Sequence, residues 1–346
     1  MSPTPVTIGI PYRDEGQNLT LLAGGLLAAL DELPAVVRRE VIVCVNGSRE
    51  GFESTLTAML AEAGLNKHGF RVITSGEGKL TAMRAIVAQR IERGYLCFVD
   101  SDVVIESKVL RLLWEALERD ACCKLAYAQP VPVFPDDRNW IHRLLRVHYS
   151  LRERVYRRPF FHGRAFMLRE WFFDAPGSLD SVRPGVIRRL SLERGPLVDD
   201  IAMSRMAVAR WGGESIIEVQ EANVHFDTPD SLRGLYAGAL RVALEVQRLD
   251  LLYPEHAHLQ ERVFTRTWHG HGFKMLSWKL RATHAAYRLL AAAIKRVAAL
   301  HVWLVKVGLL RIETLWVRVP GTKSFPRIRR AWQRFKQLGA GDRQKP

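Results

Sequence analysis

The stretch that decides the fold is Tyr95-Leu96-Cys97-Phe98-Val99-Asp100-Ser101-Asp102. Its apolar part has the length of one buried strand and stops at two carboxylates separated by one residue. Ligands of open α/β sheets bind outside the carboxyl ends of the strands, so Asp100 and Asp102 are expected at a binding site. Side chains at i and i+2 of an extended segment point the same way, and two carboxylates suit Mg²⁺ or Mn²⁺. An Asp-rich turn after a strand is the alternative interpretation.

Strand and helix patterns alternate on the amino-terminal side of this stretch. Strands are predicted over residues 6–11, 40–45 and 70–74, and a segment with helical apolar spacing follows each of them. This alternation predicts a mostly parallel, Rossmann-like sheet covered by helices, so the fold class is α/β. The apolar run at residues 95–99 is then the fourth strand of the sheet.

Polar residues follow the ends of all four predicted strands. They are Asp14 and Glu15, then Asn46, then Lys79, and finally Asp100 with Asp102. Parallel strands end at one edge of a sheet, so these groups are expected together, where they suit a nucleotide diphosphate. The sequence contains neither G-x-G-x-x-G nor G-x-x-x-x-G-K-S/T, which disfavours a dinucleotide-binding Rossmann domain and a P-loop NTPase.

Size and composition indicate a folded protein of one or two domains. The chain has 346 residues, of which 48% are hydrophobic. No signal peptide and no charge-free stretch of about 20 residues is recognisable, so no spanning helix is predicted. The four cysteines lack zinc-site spacing, which favours a reduced, cytoplasmic compartment.

Positive charge is concentrated in the last quarter of the chain. Residues 262–346 hold 19 Lys/Arg and 2 Asp/Glu, a net charge of +17, whereas residues 1–261 carry −2. Such a segment implies a phosphate-bearing partner: anionic lipid, nucleic acid or an anionic acceptor.

A basic stripe and an apolar face share one predicted helix in this segment. Lys274, Arg281, Arg288 and Lys295 recur at every seventh position, and five of the nine tryptophans lie in the same third of the chain. Together these features predict a helix that lies on an anionic membrane surface, and ordinary packing on the core is the alternative. The arginine-rich segment 138–158 has the same two interpretations.

A second acidic pair, Asp199-Asp200, begins another predicted helix. One acidic residue at a helix start complements the helix dipole, but two adjacent aspartates exceed what a cap needs. The pair is therefore a candidate functional site.

The order of these motifs resembles the family-2 glycosyltransferases of the GT-A, nucleotide-diphosphosugar transferase fold. The matching motifs are Pro11-Tyr12-Arg13-Asp14-Glu15, Val45-Asn46-Gly47-Ser48, Gly78-Lys79, Asp100-Ser101-Asp102, Gly163-Arg164-Ala165 and Asp199-Asp200. The resemblance divides the chain into a GT-A domain at residues 1–240 and a basic, Trp-containing helical region at residues 241–346.

The resemblance implies an inverting, metal-dependent transfer of a sugar from a nucleotide-diphosphate donor. It assigns the general base to Asp200, with Asp199 shaping the acceptor site, and the Mg²⁺ or Mn²⁺ to Asp102, Asp100 and His225. The expected donor contacts are Pro11, Tyr12, Asp14, Glu15, Asn46, Lys79, Asp100 and Arg241.

Departures from the family pattern refine this prediction. Asn46 stands where an aspartate is common, but an amide still matches the edge of uracil, so a UDP-sugar is favoured. The Gln-x-x-Arg-Trp signature of processive members is absent around residues 236–241, which indicates transfer of a single sugar.

The expected acceptor is lipid-linked or a membrane-proximal glycan, with the protein peripheral on the inner face of the cell membrane. Two alternatives stay open: a non-catalytic, membrane-associated scaffold with the same fold, and a transferase acting on a soluble acceptor. Nucleic acid is disfavoured as a partner, because the tryptophans lie on apolar helices and form no evident base-stacking surface.

Overall fold

The computed structural model describes residues 3–13, 19–47, 51–134, 136, 138–151, 160–173, 179–260 and 277–311. Its first half alternates β1 (Val6–Tyr12), α1 (Leu19–Glu32), β2 (Arg39–Asn46), α2 (Phe52–Glu62), β3 (Phe70–Ser75), α3 (Lys79–Gln89) and β4 (Tyr95–Val99). The four strands agree with the predicted ones to within one residue at each end.

The second half adds four strands and six helices within the described residues. They are β5 (Val104–Ile105), α4 (Val109–Arg119), β6 (Leu125–Val133), α5 (Trp140–Ser150), β7 (Ala165–Leu168), α6 (Pro184–Leu190), α7 (Asp199–Trp211), β8 (Ile216–Asp227), α8 (Leu232–Leu252) and α9 (Trp278–Val307). The sheet order is β3-β2-β1-β4-β7-β6-β8-β5. The pairs β3–β2, β2–β1, β1–β4 and β6–β8 are parallel, and β7 runs antiparallel to both β4 and β6. The predicted α/β fold class, a mostly parallel sheet covered by helices, is confirmed.

The sheet is buried on both faces, as its apolar strands predict. Along β4, Cys97 and Val99 belong to one hydrophobic core, whereas Leu96 and Phe98 belong to the core on the other face. A Cβ on Gly9 of β1 would lie 2.9 Å from side-chain atoms of both Ile86 and Phe98. Gly9 therefore allows α3 to approach the sheet that carries the site.

The prolines after Ala128 predict, from the sequence alone, a loop through Asp137, and this prediction is wrong for residues 129–133. Strand β6 continues through Pro130 and Pro132 to Val133, paired with β8 over its whole length. Within the described residues its pairing with β7 ends at Tyr127, and its register with β8 shifts between Ala128 and Gln129. Prolines two residues apart direct their missing N–H groups to the same side of a strand, and sheets tolerate prolines next to such irregularities.

Helices α8 and α9 follow the sheet and pack against each other. The predicted domain boundary at residues 240/241 falls inside α8, which is continuous from Leu232 to Leu252, and the division into two regions stays a prediction. Within the described residues no helix is both long enough and apolar enough to cross a bilayer. Lys274, Trp268, Trp316 and Trp332 lie outside the described residues.

Candidate active site

The carboxyl ends of the parallel strands bring the first group of predicted residues to one edge. Pairing of β1 with β2 and β4 places Pro11, Tyr12, Asn46 and Asp100 there. The Tyr12 ring is buried and stacks on Phe52 with a centroid distance of 5.9 Å, and Asn46 is only 5% exposed. The predicted donor residues Asp14 and Glu15 lie outside the described part of the chain.

Lys79 joins two parts of the site that are far apart in the sequence. It begins α3, and its ammonium forms a short ion pair with Asp100 and a second one, 2.8 Å long, with Asp199 Oδ2. It also donates a hydrogen bond to the Gly163 carbonyl at 3.2 Å. Burial alone would lower the pKa of Lys79, but the two carboxylates outweigh this effect and raise it. Lys79 is therefore a fixed positive charge between the end of β4 and the start of α7.

Asp100 and Asp102, the two aspartates after β4, offer the carboxylate ligands that Mg²⁺ and Mn²⁺ prefer. Burial, together with the charges of Asp199 and Asp102, raises the pKa of Asp100, and Lys79 opposes this shift. No group of three or more His, Cys, Asp and Glu residues within the described ranges could hold a metal ion. Mg²⁺ usually takes one or two carboxylates and completes its shell with substrate phosphates and water. Asp100 and Asp102 fit an ion that arrives with a nucleotide diphosphate.

The start of α7 is held in place by a close backbone approach. A Cβ on Gly163 would lie 2.7 Å from Asp199 Oδ2 and 3.2 Å from Asp200 Cβ, so a larger residue would displace the acidic pair. The backbone carbonyl of the next residue, Arg164, accepts a hydrogen bond from the Asp100 backbone N–H at 2.7 Å. The segment Gly163-Arg164 thus fixes the distance between β4 and α7.

Asp200 has the environment of a general base. Its Oδ1 atom is buried and has no hydrogen-bond partner among the described residues. Burial and the nearby charge of Asp199 raise the pKa of Asp200 to about 6, although Lys79, Arg241 and Arg164 oppose the shift. A carboxylate whose pKa is close to working pH accepts a proton more effectively than an ordinary aspartate.

Asp200 faces a large cavity between the sheet and the carboxyl-terminal helices. The cavity has a volume of about 860 Å³, and its walls include Arg164, Asp200 and Arg241 together with residues of α8 and α9. The predicted acceptor base therefore opens onto a space large enough for a substrate.

A known family matches the part of the chain that contains β1–β4 and the two aspartates after β4. The model of glycosyl transferase family 2 matches residues 7–188, which is more than half of the chain. The chain belongs to glycosyl transferase family 2. The resemblance seen in the sequence motifs is confirmed, and the sheet is the GT-A arrangement expected of this glycosyltransferase.

Two similar solved structures are also glycosyltransferases. The mannosyltransferase PcManGT from Pyrobaculum calidifontis, in complex with GDP-Man and Mn²⁺, is 16% identical over 88% of each chain, with a TM-score of 0.49. Glucosyl-3-phosphoglycerate synthase from Mycobacterium tuberculosis, in complex with Mn²⁺, UDP-glucose and phosphoglyceric acid, is 15% identical. This second match covers 71% of this chain and 79% of that chain, with a TM-score of 0.43. No curated protein matches the sequence.

The predicted metal ligand His225 has a different partner in this glycosyltransferase. It lies on β8 opposite Val104, and its Nε2 atom is 3.0 Å from Glu106 Oε1. Asn223 donates to both oxygens of the same carboxylate at 3.2 Å. Burial would raise the pKa of Glu106, but these hydrogen bonds and the charge of His225 lower it. Metal ligation by His225 stays a prediction, and the contact of Nε2 with Glu106 leaves Nδ1 as the ring nitrogen for a metal.

The sequence interpretation missed the residues that hold the loop before α7. Arg248 is fully buried and donates hydrogen bonds to the carbonyls of Leu190, Ser191 and Gly195. Glu245 accepts a hydrogen bond from the Leu197 N–H at 2.9 Å. The Glu245 carboxylate also forms an ion pair of 3.4 Å with the Arg248 guanidinium. Their spacing of three residues on one helix was the available signal, but their burial could not be read from sequence.

Proposed function

We propose that this glycosyltransferase moves one sugar from a nucleotide-diphosphate donor to a hydroxyl of a lipid-linked or membrane-proximal acceptor, with inversion at the anomeric carbon. The observation that supports this proposal most directly is the pair of ion pairs made by Lys79. They connect Asp100, on the donor side, with Asp199, which is next to the proposed general base Asp200. Donor and acceptor groups are thereby held on one rigid frame, and positioning of this kind lowers the barrier of a two-substrate reaction.

The donor would lie along the edge formed by β1, β2 and β4. Asn46 offers a donor and an acceptor to the base, and UDP is the favoured nucleotide because an amide matches uracil. Asp102 with Asp100 would hold Mg²⁺ or Mn²⁺, which supplies positive charge to the leaving diphosphate. Both similar structures named above bind a nucleotide sugar and Mn²⁺. Lys79 and Arg241 are the proposed cationic contacts of the diphosphate.

Asp200 would take the proton of the acceptor hydroxyl. Asp200 lines the cavity, and its raised pKa suits proton acceptance near neutral pH. Attack by the activated hydroxyl in a single displacement gives inversion. Asp199, held by Lys79 and pressed against Gly163, would keep Asp200 in position.

The membrane part of the proposal rests on the outward face of α9. Five exposed apolar residues form an outer stripe, defined as Trp278, Leu289, Leu300, Trp303 and Val307. At 3.6 residues per turn they fall within an arc of about 60°, along a helix about 45 Å long. One charged residue, Arg296, shares this arc, and long basic side chains can reach the lipid headgroups from such a position. Outward tryptophans and leucines are typical of helices that lie in a membrane interface.

A basic row runs beside the outer stripe. Arg281, Arg288 and Lys306 fall within an arc of about 20° on one flank of α9, and Lys295 on the same flank lines the cavity beside Asp200. Each basic residue near an anionic leaflet contributes about 1 kcal/mol of attraction. Stripe and row together favour peripheral attachment to an anionic cytoplasmic leaflet.

The transfer reaction is tested with the purified protein, a panel of UDP- and GDP-sugars carrying a labelled sugar, Mn²⁺, and an extract of membrane lipids. Label is expected in the organic phase, and the product's anomeric configuration is read by NMR. Asp200→Asn should remove the signal while nucleotide binding persists, whereas Asp31→Asn, an exposed carboxylate paired with Lys67, should change nothing. Donor binding without transfer by any donor, or retention of configuration, contradicts the proposal.

Membrane attachment is tested by co-sedimentation with vesicles of phosphatidylcholine and phosphatidylglycerol. The double variant Leu289→Ser/Trp303→Ser should lose vesicle binding, because both side chains are more than half exposed on the outer stripe. The control Val36→Ser/Ile91→Ser removes two residues that are 70% and 80% exposed elsewhere on the surface. Equal binding by both double variants would refute attachment through α9, and a soluble acceptor would then be favoured.

A further inference from the structure

Helices α8 and α9 pack against each other, and both contribute residues to the wall of the cavity beside Asp200. Small residues line its walls: Gly238, Ala239 and Ala243 on α8, and Ala291 and Ala299 on α9. A Cβ on Gly238 would meet no atom within 4 Å. The volume of about 860 Å³ is near the upper end of the range for small-molecule pockets. The packing therefore leaves a space of ligand size at a place where larger side chains would have filled it.

Most of the helix surface that faces this space is apolar. Besides the small residues, α8 contributes Val242 and Val246, and α9 contributes Leu290, Ile294 and Val302. Apolar walls of this kind gain free energy when they cover apolar surface and offer water few partners. The cavity is thus suited to a hydrocarbon chain.

The side of the cavity at the start of α7 is charged. Asp200 and Arg164 line it, and Arg241 of α8 lies close enough to act on the Asp200 carboxylate. The Arg164 guanidinium is fixed by stacking 3.6 Å above the Phe226 ring, so its position is defined before a ligand binds. Two guanidinium groups recognise a phosphate or another anionic group, and the unpartnered Asp200 oxygen can receive a hydroxyl.

We infer that the cavity binds the acceptor itself, an amphipathic molecule whose apolar chain lies between α8 and α9 and whose anionic head reaches Arg164 and Arg241 beside Asp200. This inference rests on the proposed function and specifies its acceptor as a single-chain lipid with an anionic head. The helix α9 that forms one apolar wall also carries the outer stripe, so a chain leaving a membrane would enter the protein next to the helix that touches the lipid.

The inference is tested by calorimetric binding of butyl, octyl and dodecyl phosphate below their micelle concentrations, with inorganic phosphate as the head group alone. Each methylene that enters the cavity should tighten binding about fourfold, until the cavity is filled. Dodecyl phosphate that binds no more tightly than inorganic phosphate would overturn the inference. The same result would follow if a segment of this chain occupied the cavity.

Two glycine variants locate the site. Gly238→Leu adds a side chain to the cavity wall at a position where a Cβ meets no atom within 4 Å, and it should weaken dodecyl phosphate binding at least tenfold. Gly24→Leu is the matched control, because Gly24 lies in helix α1, is exposed, and would also meet no atom within 4 Å. Leucine favours helix more than glycine does, so both variants are expected to fold. Unchanged binding by Gly238→Leu, or loss of binding by the outer-stripe variant Leu289→Ser/Trp303→Ser instead, would place the chain outside the cavity.

Binding of UDP in the presence and absence of Mn²⁺ is measured on the same samples. If UDP binds with Mn²⁺ but alkyl chain length has no effect, the acceptor inference fails and the transferase proposal stands. If the chain-length series behaves as expected but no nucleotide binds, the cavity is a lipid site and the transferase proposal fails.

Discussion

Replacing Lys79 with methionine tests the bridge at the centre of the site. Methionine keeps most of the side-chain length and removes the charge between Asp100 and Asp199. The three side chains are 17%, 23% and 7% exposed, so the lost interaction is largely buried. Removing one partner of a buried ion pair costs about 3–5 kcal/mol. A carboxylate that has lost its partner can instead take up a proton. For an aspartate of ordinary pKa, protonation at pH 7 requires about 4 kcal/mol. The expected loss in the free energy of unfolding at pH 7 is therefore about 3–4 kcal/mol.

The pH dependence of this loss has a defined sign. Without the ammonium, the pKa of Asp100 rises further above its unfolded value, because Lys79 opposes the raising effect of burial. A carboxyl group whose pKa is higher in the folded than in the unfolded protein stabilises the fold at a pH below the unfolded-state pKa. This stabilisation is lost as the pH rises through the folded-state pKa. The deficit of Lys79→Met should therefore shrink to about 1–2 kcal/mol at pH 5, where protonation is less costly. Mn²⁺ should stabilise the variant more than the wild type, because an ion beside Asp100 replaces the missing charge.

The assay is urea unfolding followed by circular dichroism at pH 7 and pH 5. Lys67→Met is the matched control, because Lys67 forms a 2.9 Å ion pair with Asp31 in which both side chains are more than half exposed. Such surface pairs contribute about 0–1 kcal/mol. The charge argument is refuted if Lys79→Met unfolds at the same urea concentration as the control at both pH values. It is also refuted if the deficit grows as the pH falls.

Three further substitutions test individual groups of the site. Asp102→Ala should abolish the Mn²⁺ dependence of UDP binding in calorimetry, and equal affinity with and without EDTA would remove Asp102 from the metal site. Asp200→Asn should lower kcat by about 10²–10⁴. The wild-type kcat should fall as the pH drops through about 6, where Asp200 becomes protonated, and a flat pH profile contradicts its role as base. Gly163→Ala should lower kcat with little change in UDP affinity, because its Cβ would lie 2.7 Å from Asp199 Oδ2; an unchanged kcat would show that the acidic pair tolerates displacement.

The fold could be predicted from local patterns because its strands are short apolar runs that end in polar turns. The run at residues 95–99 followed by Asp100 is the clearest case, and the structure has β4 at these five residues. The error at Pro130 and Pro132 has a tertiary cause. Whether a proline is tolerated in a strand depends on the neighbouring strand, and the end of β7 pairing at Tyr127 is not encoded near the prolines.

The site was predictable as a set of residues but not as a set of contacts. Lys79 was expected to contact a diphosphate, and its ion pair with Asp199, 120 positions later, depends on how α7 returns to the sheet. His225 was predicted to bind metal because its place at the end of a strand after α7 resembles that of a metal ligand in the family. Its partner Glu106 comes from a segment paired with β8, and this pairing is visible only in three dimensions.

The two faces of α9 give a physical reason for placing a basic, apolar helix after a catalytic domain. Its inner face includes buried Ala298, Val302 and Val305, which belong to the core that also contains residues of α7 and α8. Its outer face carries Leu289 and Trp303, which are exposed to solvent at 74% and 53%. Exposed apolar surface of this extent is costly in water unless another apolar phase covers it. A membrane that covered this stripe would place the cavity wall one helix diameter, about 10 Å, from the lipid. An acceptor chain could then pass from the bilayer to Asp200 along a single helix.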